Sequence, residues 1–140
     1  MLKFYSLCTI GEKVTTLCAM TKKVLVVEDT KDIREALKML IEFQGYEVIV
    51  AHDGFEASEQ TLEHLPDLIL MDLAMPRFNG IYATRQIRSD PKTSAIPIIC
   101  VTSHAHEFEA EALATGANEV FTKTTFMDNF DYILKKYLES

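Results

Sequence analysis

Five short apolar runs recur along the chain, each followed by a stretch with helical periodicity, and this alternation limits the fold more than any other feature. Val24-Leu25-Val26-Val27 is apolar at every position, so both faces of that strand must be buried. Ile33, Ala36, Leu37, Leu40 and Ile41 then fall on one face of a helix, with Thr30 as a candidate N-cap and Gly45 as a candidate stop. Tyr46–Ala51 reads as a second strand, and Asp53-Gly54 turns the chain into a helix that Pro66 ends. Asp67–Asp72 is a third buried strand. Met75–Gly80 is a loop with two breakers, leading to a helix over Ile81–Arg88. Ile96–Val101 is a fourth strand, with Pro97 near its start, where proline is tolerated. A helix over 107–115 stops at Gly116, and Glu119–Thr122 is the fifth strand. A last helix carries Phe126, Phe130, Ile133, Leu134, Tyr137 and Leu138 on one face. Strands that are apolar throughout, alternating with helices, predict an α/β protein: a doubly wound, five-stranded parallel sheet covered on both faces.

The chain has 140 residues, 48% hydrophobic and 25% charged, which suits one compact domain with a sizeable core. Its net charge of -7 disfavours direct nucleic-acid binding, which draws on Lys and Arg, and equally disfavours an anionic membrane surface. Three cysteines, Cys8, Cys18 and Cys100, form no disulfide or metal spacing, so a reducing cytoplasm is expected. Cys100 reads as a small buried hydrophobe. No run approaches the roughly 18 apolar residues of a membrane helix.

Residues 1–20 stand apart from this pattern. Leu2–Ile10 is apolar but is cut short by Gly11-Glu12-Lys13, which makes a poor signal peptide. Met20 lies just before the first strong strand. The expectation is an N-terminal extension outside the core (an upstream start or an expression remnant), with Phe4 and Tyr5 in disordered chain, and a domain over 21–140.

In an open α/β sheet, ligands bind at the carboxyl ends of the strands. Strand one ends on Glu28-Asp29, strand three on Asp72, strand four on Thr102-Ser103 and strand five on Lys123. Three carboxylates on one edge repel, and burial adds to the cost. A hard divalent cation with oxygen ligands, Mg²⁺, offsets both. A phosphoryl group arriving at Asp72 would add anionic oxygens that a metal, Lys123 and the Thr102 hydroxyl could stabilise. Against this stands a plainer role as helix caps for Asp29, Thr30 or Ser103. That role fits any one of them better than it fits five positions on four strands.

These residues resemble a known family. Val26-Val27-Glu28-Asp29, Asp67–Pro76 with Gly80, Ile96–Thr102, Gly116-Ala117 and Lys123 together resemble the receiver domain of two-component response regulators, in a stand-alone form. The resemblance implies a flavodoxin-like (βα)5 fold with strand order 2-1-3-4-5. It implies Asp72 as phosphoacceptor, with Asp29, Asp72 and the Ala74 carbonyl as direct Mg²⁺ ligands and Glu28 acting through water. Thr102 and Lys123 would meet the phosphoryl group. The donor would be a sensor histidine kinase or histidine phosphotransfer protein. A downstream protein would be engaged through the face of helix 4, strand 5 and helix 5, which Glu107, Glu109 and Glu111 make acidic here.

Three positions depart from the family pattern. Thr124 stands where proline usually follows the lysine, so the Lys123–Thr124 bond is expected to be trans with a remodelled loop, or a strained cis bond. Val120 replaces a common aromatic that moves with the switch threonine, and Phe121 should point to the other sheet face. Ala74 and His104 occupy the positions that tune dephosphorylation. His104 and His106 read as a solvated loop and Met71 and Met75 as packing.

The expected function is therefore a phosphorylation-driven signalling switch rather than a turnover enzyme. The alternative is a receiver-fold adaptor that acts without phosphorylation. An aspartate-nucleophile phosphatase would need a second aspartate two residues after the first, and Ala74 stands there.

Overall fold

The computed structural model describes residues 5–10, 13–19, 21–73, 75, 79–103 and 105–139, with backbone alone for 5–10, 13–19 and 105–107. Ala74 and His104 lie outside the described residues, and so does the loop stretch 76–78.

Two strands precede the predicted elements. β1 (Tyr5–Ile10) and β2 (Lys13–Ala19) pair antiparallel as a sheet of their own, with a register shift between Ser6 and Cys8. Tyr5 thus lies in a strand rather than in disordered chain. The signal was present as Gly11-Glu12 between two runs that carry β-branched residues, Thr9-Ile10 before it and Val14-Thr15-Thr16 after it.

The remaining strands are β3 (Lys23–Val27), β4 (Glu47–Ala51), β5 (Leu68–Asp72), β6 (Ile98–Thr102) and β7 (Glu119–Thr122). They form one parallel sheet in the order β4-β3-β5-β6-β7, which is 2-1-3-4-5 when counted from β3. The helices between them are α1 (Lys31–Phe43), α2 (Gly54–His64), α3 (Gly80–Ser89) and α4 (Ala105–Thr115). β6 starts two residues later than expected. Pro97 has no N–H to give, Ile96 turns back to the Thr93 carbonyl, and only the Pro97 carbonyl joins the ladder, accepting from Ile69 N–H.

The expected single last helix is two, α5 (Lys123–Asp128) and α6 (Phe130–Leu138), broken at Asn129. Phe126, Phe130, Ile133, Leu134 and Leu138 are nonetheless all buried, because the break keeps the apolar stripe against the sheet.

Strand alternation divides the core in two. Leu25, Val27, Ile69, Met71, Ile98 and Cys100 face α2, α3 and α4. Val24, Val26, Leu68, Leu70 and Ile99 face α1, α5 and α6. Met75 packs in the first cluster beside Met71, as expected of a packing residue. Burial pushes the Cys100 thiol up to about 12, so it behaves as an inert small hydrophobe.

Side chains at the element ends hold the layers in register. Asp53 and Asn79 cap α2 and α3 by accepting from the Glu56 and Tyr82 N–H groups. Thr30 occupies the N-cap position of α1 without a side-chain cap bond. Arg88, at the end of α3, donates to the carbonyls of Gly116, Ser94 and Ile96 and to Asn118 Oδ1, joining α3, the next loop and the end of α4. Asn118 Oδ1 also accepts from Ile98 N–H, so this knot fixes the entry of β6.

Gly80 opens α3 directly over the end of β5. A Cβ there would sit 2.5 Å from the Asp72 carbonyl oxygen and 2.9 Å from Met71 Cγ. Gly80→Ala should therefore displace the β5 terminus and cost about 1–3 kcal/mol of unfolding free energy. Urea denaturation measures the loss, and a Mg²⁺ titration should show weakened binding alongside it.

Candidate functional site

The carboxyl ends of β3 and β5 bring three carboxylates together. Glu28, Asp29 and Asp72 each offer an oxygen within 4.8 Å of the others. β3 and β5 are adjacent and in register, with Val27 beside Met71, so the residues that follow must converge. Glu28 and Asp72 are buried, while Asp29 is exposed.

Local hydrogen bonds hold the acidic pair. Glu28 Oε1 accepts from Thr30 N–H at 3.2 Å, and Glu28 N–H donates to the Ala51 carbonyl. Arg34 Nη1 donates to the Glu28 carbonyl oxygen at 2.9 Å, tying the first turn of α1 back to the strand end. Arg34 was not singled out from sequence, because its part depends on a backbone oxygen six residues earlier that carries no sequence signature.

Burial, and then the negative charge of Asp72, push the Glu28 carboxyl up to about 7, against the smaller pull of the Thr30 N–H and Lys123. A carboxyl kept protonated by a crowded, desolvated cluster is what a hard cation would relieve, and all three donors are oxygens, as Mg²⁺ prefers. Glu28, Asp29 and Asp72 are thus placed to hold such an ion. The Ala74 carbonyl assigned to the same role lies outside the described residues.

Thr102 ends β6 fully buried, beside Thr122 in the ladder. Lys123 follows at once as the first residue of α5 and is half-buried, close enough to act on Glu28. No cis peptide bond occurs among the described residues, so the trans form of Lys123–Thr124 is found. The loop expected there is replaced by a helix start. Thr122 Oγ1 accepts from Thr125 N–H at 3.1 Å and donates to Thr125 Oγ1 at 2.8 Å, an N-cap that the sequence Thr-Lys-Thr-Thr permits.

Val120 and Phe121 point to opposite faces, as strand alternation predicts. Val120 packs with the cluster containing Cys100, and Phe121 with the cluster under α5 and α6. Among the helix-four acids, Glu109 and Glu111 are exposed, while the Glu107 and His106 side chains and all of His104 lie outside the described residues.

Two outcomes follow from this geometry. Loss of the Thr122 hydroxyl in Thr122→Ala should cost about 1 kcal/mol of stability, read by thermal unfolding, and should loosen Lys123. The second concerns protons. Glu28 titrates near 7 in the fold, against an ordinary 4.5, so between those values the folded state holds the extra proton. In chelator, this contribution to stability is complete below about pH 4.5 and is lost as pH rises through about 7. Mg²⁺ binding should expel that proton, so apparent affinity should rise with pH and level off above about 7. Isothermal titration in buffers of different ionisation enthalpy measures the proton released, and Glu28→Gln should abolish it.

Residues 24–135 match the response regulator receiver domain. The polar-differentiation response regulator DivK of Brucella ovis is 37% identical over 120 residues, spanning 85% of this chain and 98% of the relative. The receiver domain of the Pseudomonas aeruginosa sensor histidine kinase PA1611, solved with magnesium in its active-site cleft, superposes with a TM-score of 0.78 at 28% identity, covering 86% of this chain and 99% of that one. The Thermotoga maritima response regulator TrrA, solved with Mg²⁺ and BeF, gives a TM-score of 0.75 at 31% identity, covering 84% and 100%. The chain therefore belongs to the receiver domains of two-component response regulators.

Proposed function

We propose that Asp72 accepts a phosphoryl group from the phosphohistidine of a sensor kinase or histidine phosphotransfer protein, and that the chain works as a single-domain signalling switch in the cytoplasm. The observation that carries this reading is the convergence of Glu28, Asp29 and Asp72 within 4.8 Å at one sheet edge, with Lys123 beside them.

An Asp72 carboxylate oxygen attacks the phosphorus in line with the P–N bond of the donor. A P–O bond forms, the P–N bond breaks, and the electron pair leaves on the imidazole nitrogen. Burial of Asp72 keeps bulk water from competing for the phosphorus. Lys123 approaches the transferred oxygens as a point charge, and Thr102 offers them a hydroxyl. Glu28, Asp29 and Asp72 would hold Mg²⁺, with the Ala74 carbonyl as the further ligand that the resemblance implies. When bound, the ion supplies positive charge to offset the anionic oxygens.

The outgoing signal would leave by α4, β7 and α6. Glu119 pairs there with Lys136 at 3.2 Å and accepts a hydrogen bond from Tyr137, while Tyr132 stands exposed. A protein partner is expected on this face. A phosphorylation-independent adaptor is the second reading, favoured by Val120, which has no ring to swing between two positions as the threonine moves.

Intact-mass analysis with Mg²⁺ and acetyl phosphate separates the two. The expected result is one phosphoryl adduct (about 80 Da, the mass of PO₃H) that Asp72→Asn removes and chelation suppresses. An unlabelled protein, under conditions that label a control receiver, favours the adaptor.

A further inference from the structure

β4 is an edge strand with an unused row of backbone groups. In the order β4-β3-β5-β6-β7 it pairs with β3 alone. Glu47 N–H donates to the Lys22 carbonyl, and the Ala51 carbonyl accepts from Glu28 N–H, so both residues turn their backbone toward the line of β3. Backbone direction alternates along a strand. Ile49 therefore turns the same way, and the N–H and C=O groups of Val48 and Val50 point out of the sheet. Val48, Ile49 and Val50 are half-buried, whereas Val24, Leu25 and Val26 opposite them on β3 are enclosed. Proteins guard such an edge with lysine, proline, a bulge or a covering segment. β4 reads Glu-Val-Ile-Val-Ala in unbroken register with β3, so it has none of the first three.

The β1–β2 hairpin has the converse need. Among the described residues its strands pair only with each other. Two strands alone are marginal in water, and a third is what makes such a unit hold. β2 has seven residues without glycine or proline, enough to run the length of the five-residue β4.

The hairpin is tethered too tightly to serve its own β4. Its ladder runs to the pair Tyr5 and Ala19, and Lys22 is already fixed on the line of β3 by Glu47. The outer side of β4 lies two strand spacings from that line, about 10 Å. The chain from Ala19 to Lys22 reaches only about 10–11 Å at full stretch. The backbone entering β4 through the buried Tyr46 stands across the straight path, and a detour needs more chain than there is. A second copy has no such limit. The root of the hairpin and the entry of β4 are bonded at Lys22 and Glu47, so one two-fold axis beside them brings each hairpin to the other copy's β4. β7, the other edge of the sheet, has four residues and lies at the far side from that root.

We infer that this chain dimerises by exchanging its β1–β2 hairpin, with β2 of each copy added to β4 of the other through the backbone groups of Val48 and Val50. The exchange is isologous and closes at two copies. Recognition is by main-chain hydrogen bonds, as when an extended segment adds to an exposed sheet edge. No group of the acidic cluster takes part, so the dimer forms whether or not Asp72 accepts a phosphoryl group.

Sedimentation velocity of the full chain across micromolar concentrations, with amide exchange followed by NMR, tests this. The expected result is a dimer with slowly exchanging Val48 and Val50 amides. Val50→Pro removes one outward N–H and leaves the β3 ladder whole, since proline is tolerated where an edge N–H faces out. It should weaken the dimer roughly tenfold or more and speed exchange at Val48 by a similar factor. Val50→Ala keeps that N–H and should dimerise as the parent does, and so should Asp72→Asn. A chain monomeric throughout overturns the inference. So does a monomer whose Val48 and Val50 amides are protected, the mark of a hairpin docked on its own sheet, or a dimer in which those amides exchange freely.

Discussion

β3, β5 and β6 are covered on both faces, and every residue of β5 is buried. A strand in that position cannot carry a charge along its length, because burying an unpaired ion costs several kcal/mol. Polar groups are pushed to the strand ends, and parallel strands put all their carboxyl ends on one edge. Glu28, Asp29, Asp72, Thr102 and Lys123 are neighbours for that reason. The site is a by-product of how the core is closed.

The same crowding suits the cluster to a cation. Two buried carboxylates cannot both ionise cheaply, and the Glu28 carboxyl shows the strain by titrating near 7. A divalent cation and an ammonium are the groups that relieve it. The repulsion that destabilises the empty cluster is therefore also the affinity of the site for a metal. Arg34, the Thr30 N–H and the small Gly80 contribute by holding the strand ends where the repulsion is focused.

At the far edge, the local structure after β7 differs from the family pattern. β7 runs straight into α5 with Thr122 as cap, so Lys123 is held by a helix start and not by a proline loop. Val120 is a β-branched side chain packed against the cluster containing Cys100, stiff at χ1 and with no ring to swing. If Asp72 is phosphorylated as proposed, coupling from it would rest on backbone movement at Thr102 and α4, or on the Glu119–Lys136–Tyr137 group that ties β7 to α6.

Much of this was legible before any coordinates. Uninterrupted apolar runs point to strands covered on both faces, because a strand wet on one face alternates, and helical periodicity between them calls for crossover connections. Parallel order and the convergence of the acidic residues follow from these local patterns. The opposite facing of Val120 and Phe121 followed from strand alternation alone. What tertiary structure decided is of another kind. The β1–β2 hairpin, the break at Asn129, the helix start at Lys123 and the Arg88 knot depend on backbone groups, which are the same in every residue and leave no composition to read. The exposure of Phe43 was also beyond the sequence. Periodicity places it on α1, but only the packed positions of α5 and α6 show that the helix buries Ile41 and leaves Phe43 in water. Which apolar residue is core and which is surface is a property of neighbours distant in the chain.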